Sequence, residues 1–174
     1  MNPGSAPPAI DLRPDWHPLP ARARALFALG TVLGFGLPGI GAGVALGVIA
    51  GSRGELLSFP AAIAGGIVVV ALPLALFGLW LGFKRFRYTA WRLDAHGLAV
   101  RQGRLWQRET RVPTTRVQHL DIKRGPLQRR RHLATLVVHT AGTAHSAVAV
   151  PHLDADDAEA LRDRLGAQID HDDE

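Results

Sequence analysis

From Ala25 to Ser52, and again from Leu56 to Phe83, the chain carries no Asp, Glu, Lys, Arg or His. Each run is 28 residues long. A bilayer core about 30 Å thick is crossed by about 20 apolar residues in a helix. Only Arg53-Gly54-Glu55 separates the runs, so the pattern predicts a transmembrane two-helix hairpin over residues 21–86 with a tight turn. The competing reading is a helical hairpin buried in a soluble core. Such helices seldom stay apolar all round for this length, and neither run has a polar stripe. A cleaved signal peptide has an apolar stretch of about 7–15 residues. Here the first run is longer, starts later, and is followed at once by a second.

Before the hairpin, residues 1–20 are proline-rich and read as an extended or disordered tail, with Trp16 and Pro18–Pro20 candidates for a short element at the membrane surface. After Phe86 the period changes to short alternating segments bounded by turn residues, the signature of strands. Strands are expected over Tyr88–Leu93, Leu98–Gln102, Leu105–Val112, Arg116–Lys123, Leu136–Thr140 and Ala147–Val150. Asp94-Ala95-His96-Gly97 is a turn, with Gly97 free to take positive φ. A helix follows: Ala158, Leu161, Leu165 and Ile169 share one face, Asp154 is positioned to cap it, and Asp156, Asp157 and Glu159 lie in its first turn, where the helix dipole favours acids. The fold class is therefore α+β. The folded domain is set at 87–169, with an acidic tail over 170–174.

Charge sharpens this outline. The net charge is +5, but residues 84–131 carry +11 and residues 132–174 carry −7. The basic half adjoins the membrane segment in sequence, where anionic lipid attracts Lys and Arg by about 1 kcal/mol each. Arg13, Arg22 and Arg24 precede the first helix; Lys84, Arg85, Arg87 and Arg92 follow the second. Positive flanks stay inside, so both termini are expected to face the cytoplasm at a bacterial inner membrane. There is no cysteine, which excludes disulfides, thiolate catalysis and Cys-based metal sites.

Inside the first run Gly39, Gly43, Gly47 and Gly51 recur every fourth residue, a spacing that lets helices approach closely. Two partners fit this helix-packing face: a second copy of the chain, or the second helix of the same hairpin, where Ala61/Gly65 and Gly78/Gly82 offer small residues. Pro38 and Pro73 are expected to kink or interrupt their helices. The absence of charge within either run argues against a proton relay or ion-coupled pathway.

The residues after the hairpin carry a family resemblance. Tyr88-Thr89-x-x-Arg92-Leu93, Gly97-Leu98-x-Val100-Arg101-x-Gly103, Val112-Pro113-x-x-Arg116-Val117-Gln118, Gly125-Pro126-Leu127-Gln128-Arg129-Arg130, Leu133-Ala134-Thr135 and His139-Thr140-Ala141-Gly142 together resemble the bacterial membrane-anchored pleckstrin-homology family, the YdbS-like proteins. The likeness spans roughly 84–168, and the preceding hairpin fits the family layout. It implies a pleckstrin-homology-like (PH-like) β-barrel or sandwich with a C-terminal α-helix, and a non-enzymatic role in the envelope with no catalytic residues to carry over. One departure is visible. Arg131-His132 stands where such proteins often have Leu-Gly, and a glycine there would permit positive φ at a helix end.

The candidate binding set is basic: Arg116, Lys123, Arg124, Arg129, Arg130 and Arg131, suited to anionic lipid headgroups or an acidic protein segment, or simply a solvated face. The first hairpin turn has no Lys or Arg, which speaks against specific phosphoinositide binding. The eight histidines show neither His-x-His nor His-Glu-x-x-His spacing. Even if His119, His139, His145 and His152 converge, no metal or other cofactor is expected. No phosphate loop, dinucleotide fingerprint or nucleophile elbow is present, so no enzyme is expected. The anchor and the acidic C-terminal helix disfavour nucleic acid. The sequence thus points to a membrane protein that presents its domain for protein assembly or scaffolding, with membrane lipids and a protein partner or a second copy as its contacts. The alternatives are an anionic-lipid sensor and an accessory subunit of a transport or envelope-stress complex.

Overall fold

The computed structural model describes residues 15–53, 58–94, 96–104, 106–141 and 147–172, with side chains to residue 167. The chain divides into two units. One is the helical hairpin Arg24–Phe86; the other joins the segment before it to residues from Arg87 onward.

In the hairpin, α1 spans Arg24–Ser52 and α2 spans Phe59–Arg87. Only 17% and 11% of their most apolar stretches is buried. Leu37, Val68, Val69, Leu72 and Leu76 are each more than half exposed. A soluble core would cover these side chains, and lipid has no need to. Neither Pro38 nor Pro73 interrupts its helix, so of the expected kink or interruption the interruption does not occur. Each lacks one amide donor, and the rest of the ladder continues on both sides.

The glycine ladder packs inside the hairpin. A Cβ on Gly43 would lie 2.6 Å from Gly66 O and from Ile67 Cα, and one on Gly47 would lie 2.6 Å from Ala62 O. Gly39 faces Ala71 and Leu74, and Gly51 faces Phe59 and Ala62. The matching small residues on α2 are therefore Ala62 and Gly66, not Ala61 and Gly65; Gly65 meets open space. Further along, Gly78 and Gly82 abut Thr31, Val32 and Ala28. The Thr31 hydroxyl is 2.9 Å from Phe27 O and 3.0 Å from Ala28 O, so it spends its proton within α1. Near the other end Lys84 Nζ sits 4.0 Å above the Trp80 ring and Arg24 4.2 Å above Phe83, the cation–aromatic pairing common at an interface.

The second unit is a sandwich of two antiparallel sheets. The first, in order β1-β2-β3-β4, contains β1 (His17–Pro18), β2 (Thr89–Asp94), β3 (Gly97–Gln102) and β4 (Arg108–Val112). The second contains β5 (Val117–Lys123), β6 (Leu133–Thr140) and β7 (Ala147–Asp154) in that order. A short helix α3 (Pro126–Arg129) joins β5 to β6, and α4 (Ala155–Asp172) follows β7. The core is apolar side chains from both sheets: Leu98, Leu133, Leu136, Val138, Val150 and Leu153 are fully buried. Leu161 and Leu165 of α4 join them with Ala158. This is the α+β PH-like arrangement expected, with the C-terminal helix packed against the sandwich.

Several boundaries differ from the sequence reading. The extended tail assigned to 1–20 is ordered at its end. His17 and Pro18 pair with Trp91 and Ala90, Leu19 and Ala23 are buried, and Trp16 lies 4.0 Å from the Arg101 guanidinium and 5.0 Å from that of Arg92. Proline at the outermost strand of a sheet costs no ladder bond, which is how a proline-rich segment becomes β1; residues 1–14 lie outside the described residues. β4 starts at Arg108, with Trp106 and Gln107 ahead of it; Leu105, where the strand was expected to begin, lies outside the described residues. β6 and β7 each run further than expected, β7 through Pro151, again on a sheet edge. Finally, α4 runs on to Asp172, into the acidic tail; residues 173–174 are outside the described residues.

Candidate partner-binding surface

Gly125-Pro126-Leu127-Gln128 is the local scaffold of the basic region. Pro126 opens α3 at the position where its missing N–H is harmless. Gln128 Oε1 accepts from Gly125 N at 2.9 Å. Its Nε2 lies 2.8 Å from Thr135 Oγ1 on β6 and 2.9 Å from His152 Nδ1 on β7. One amide side chain thus ties the turn to two strands. An amide nitrogen only donates, so His152 Nδ1 accepts and carries no proton. Burial lowers the pKa of His152, which favours the same neutral state.

The departure at residue 132 is resolved here. His132 adopts φ 51°, the left-handed region that costs a non-glycine residue about 1–2 kcal/mol. Its carbonyl accepts from Ala155 N at 3.0 Å, so the strained residue fastens the α3 turn to the start of α4. His152 is also at positive φ, 54°. Gly97 takes φ 127°, as the turn before β3 requires, and Asp94 Oδ1 accepts from His96 N at 2.9 Å within it.

The six predicted basic residues do not form one patch. Arg124 is ion-paired with Glu159 of α4. Arg129, Arg130 and Arg131 are exposed in and just after α3, and Lys123 is exposed at the end of β5. Among the described residues none of these last four has a carboxylate partner. Arg116 goes elsewhere. It ends a single 3-10 turn before β5 and borders a depression of about 400 Å³ together with Arg108, Thr110, Arg111, Thr140 and Val148. A second depression of about 270 Å³ shares Arg108, Thr110 and Val148 and reaches Val100, Gln102 and Ala149.

These adjoining hollows lie where the sandwich is open. Among the described residues β4 pairs with β3 alone and β7 with β6 alone, so each sheet turns an unpaired strand edge to this side. Glu109, 3.3 Å from Arg101 and 3.7 Å from Arg111, tempers the positive charge without cancelling it. Sequence reading missed Arg108 and Arg111 as members of this site. Both lie in a predicted strand, but only the sheet order shows that the strand is an edge.

The segment before the hairpin is held by charge as well as by β1. Arg22 is ion-paired with Asp154, at the start of α4. Next to it the Asp157 carboxyl is pushed up, first by burial and then by Asp154 and Asp156, against the opposing pull of His17 and Arg22.

The sequence pattern described as Bacterial PH domain matches residues 26–169. The chain belongs to that family. It is also 35% identical over 83 residues to the UPF0699 transmembrane protein YdbS of Bacillus subtilis (strain 168). That match covers 47% of this chain and 50% of the relative, so the likeness spans about half of that protein's length. No solved structure matches the chain. The matched residues include both helices, each long and apolar enough to cross a membrane, and the chain is a transmembrane protein with a bacterial PH domain.

Proposed function

We propose that the chain is a non-enzymatic assembly module at the bacterial inner membrane, whose PH-like domain docks an acidic, extended segment of a partner protein. The observation that supports this is the open corner between β4 and β7. An exposed strand edge offers unpaired N–H and C=O groups to an added strand, and Arg108, Arg111 and Arg116 beside it favour an acidic occupant. The charge at both ends of the hairpin supports a cytoplasmic domain.

A photo-crosslinking residue at Thr110, in the full-length protein in its native membrane, tests the proposal. Protein adducts at Thr110 are expected. They should be lost when Arg108 and Arg111 are both changed to Glu and retained when exposed Glu159 is changed to Gln. Adducts only with lipid, or protein adducts indifferent to the charge reversal, refute it.

A second reading, sensing of anionic lipid, is favoured by the exposed run Arg129-Arg130-Arg131. It predicts co-purification of anionic lipid with the full-length protein, reduced when all three are changed to Ala. Unchanged lipid content would sink it.

A further inference from the structure

We propose that His119, Asp121 and His139 form a binding site for a divalent transition metal ion of the zinc type on the outer face of the second sheet. His119 and Asp121 are two residues apart on β5, so they project from the same face. His139 lies directly opposite His119 on β6. The two imidazoles stack with centroids 4.1 Å apart and planes 15° from parallel. His139 Nε2 is 3.2 Å from Asp121 Oδ2. One ligand atom from each of the three residues falls within 4.8 Å of the others.

These distances suit a metal. With metal–ligand bonds of about 2.0–2.1 Å, two ligand atoms of a tetrahedral ion are about 3.3 Å apart. The His139–Asp121 pair already has that spacing. His119 is exposed, so metal binding would require its ring to leave the stack with His139 and turn one nitrogen toward the pair. Two imidazole nitrogens and a carboxylate oxygen select zinc, nickel, copper or cobalt over magnesium and calcium. Three protein ligands leave the fourth position to water or to a group from another molecule. The bound ion would clamp β5, an edge strand whose register shifts between Val117 and His119, to its neighbour β6.

None of the three residues lines the hollows at the β4–β7 corner, and the metal proposal does not depend on the docking proposal. Sequence spacing conceals it because the third ligand comes from another strand; His119-x-Asp121 on a predicted strand is its sole local trace. His145, considered with these histidines, lies outside the described residues.

The test uses full-length protein in detergent, purified without a histidine tag, stripped with chelator and titrated with Co²⁺ as a visible reporter for Zn²⁺. One Co²⁺ per chain is expected, with a visible absorption band that Zn²⁺ displaces. Changing outer groups around metal sites weakens binding about 10–100-fold, so His119→Ala and His139→Ala should each weaken it at least about tenfold. Asp121→Asn, of nearly the same shape, should also weaken it. Zn²⁺ should raise the thermal midpoint of the unaltered protein and not that of the His119→Ala variant. Uptake by the unaltered protein no greater than by a His119→Ala/His139→Ala variant that keeps its circular dichroism overturns the proposal. That result leaves the trio as a hydrogen bond and a ring stack alone.

Discussion

Adding one methyl group to the glycine ladder separates the two uses such a ladder can have. In Gly43→Ala the new Cβ would sit 2.6 Å from Gly66 O and from Ile67 Cα, against about 3.5–4.0 Å for carbon atoms at rest. Both obstacles are backbone, so no side chain can swing aside, and the helices must part locally by about 1 Å. A gap of 0.5–1 Å forfeits about a quarter to a half of each affected contact, and overpacking a filled core costs about 1–3 kcal/mol. With backbone on both sides, a loss of about 2–3 kcal/mol is expected. Gly30, Gly34 and Gly41 supply the control, because a Cβ on any of them meets nothing within 4 Å. Alanine there gains up to about 1 kcal/mol in helix propensity, so the sign reverses. Denaturation of the detergent-solubilised protein reads the energy. Spin labels on introduced cysteines at exposed Leu46 and Val68 read the helix separation, which the cysteine-free chain makes clean. Equal effects from Gly43→Ala and Gly34→Ala, or a larger one from Gly34→Ala, would refute packing within the hairpin as the purpose of the ladder.

Three more outcomes follow from the second unit. His132→Gly should stabilise it by about 0.5–1 kcal/mol, since relief of about 1–2 kcal/mol of left-handed strain exceeds the 0.4–1 kcal/mol of added unfolded-state entropy; a lower thermal midpoint contradicts this. His152 has its pKa lowered in the fold, so its contribution is fully present above the unfolded value of about 6.5 and is lost as pH falls through the folded value. Below pH 6.5 the His152→Asn variant, which tolerates positive φ and does not titrate there, should lose stability less steeply than the unaltered protein; parallel curves speak against it. Trp16→Ala removes the ring between Arg92 and Arg101 and should cost about 1–2 kcal/mol. It should also speed tryptic cleavage after Arg22, and unchanged cleavage rates mean that β1 is held by other contacts.

Periodicity carried most of the architecture. The two charge-free runs became α1 and α2, and the alternation after Phe86 became strands because each has one face against the core. The apolar face of α4 is buried as its spacing required, with Ile169 beyond the described side chains. What periodicity could not show was pairing. Which strand is an edge depends on sheet order, so no local pattern singles out Arg108 and Arg111 or separates Arg116 from Arg129–Arg131. The ion pair of Arg124 with Glu159 joins residues 35 apart, beyond any local pattern. Proline content argued for a tail at residues 15–20, and the outermost position of β1 is what lets those prolines into a sheet.

That strand has a consequence for biogenesis. β1 leaves the ribosome before either membrane helix, whereas β2, its partner, is made after both. The first sheet cannot close until the whole hairpin has been inserted with its two ends on one side of the bilayer. A chain in which only one helix crossed would strand β1 on the far side and leave β2 with a bare edge. The sheet therefore doubles as a check on topology. For the same reason, cutting the domain free at residue 84 removes one of its own strands; a soluble version needs residues 15–23 rejoined ahead of residue 87 through a linker in place of the hairpin.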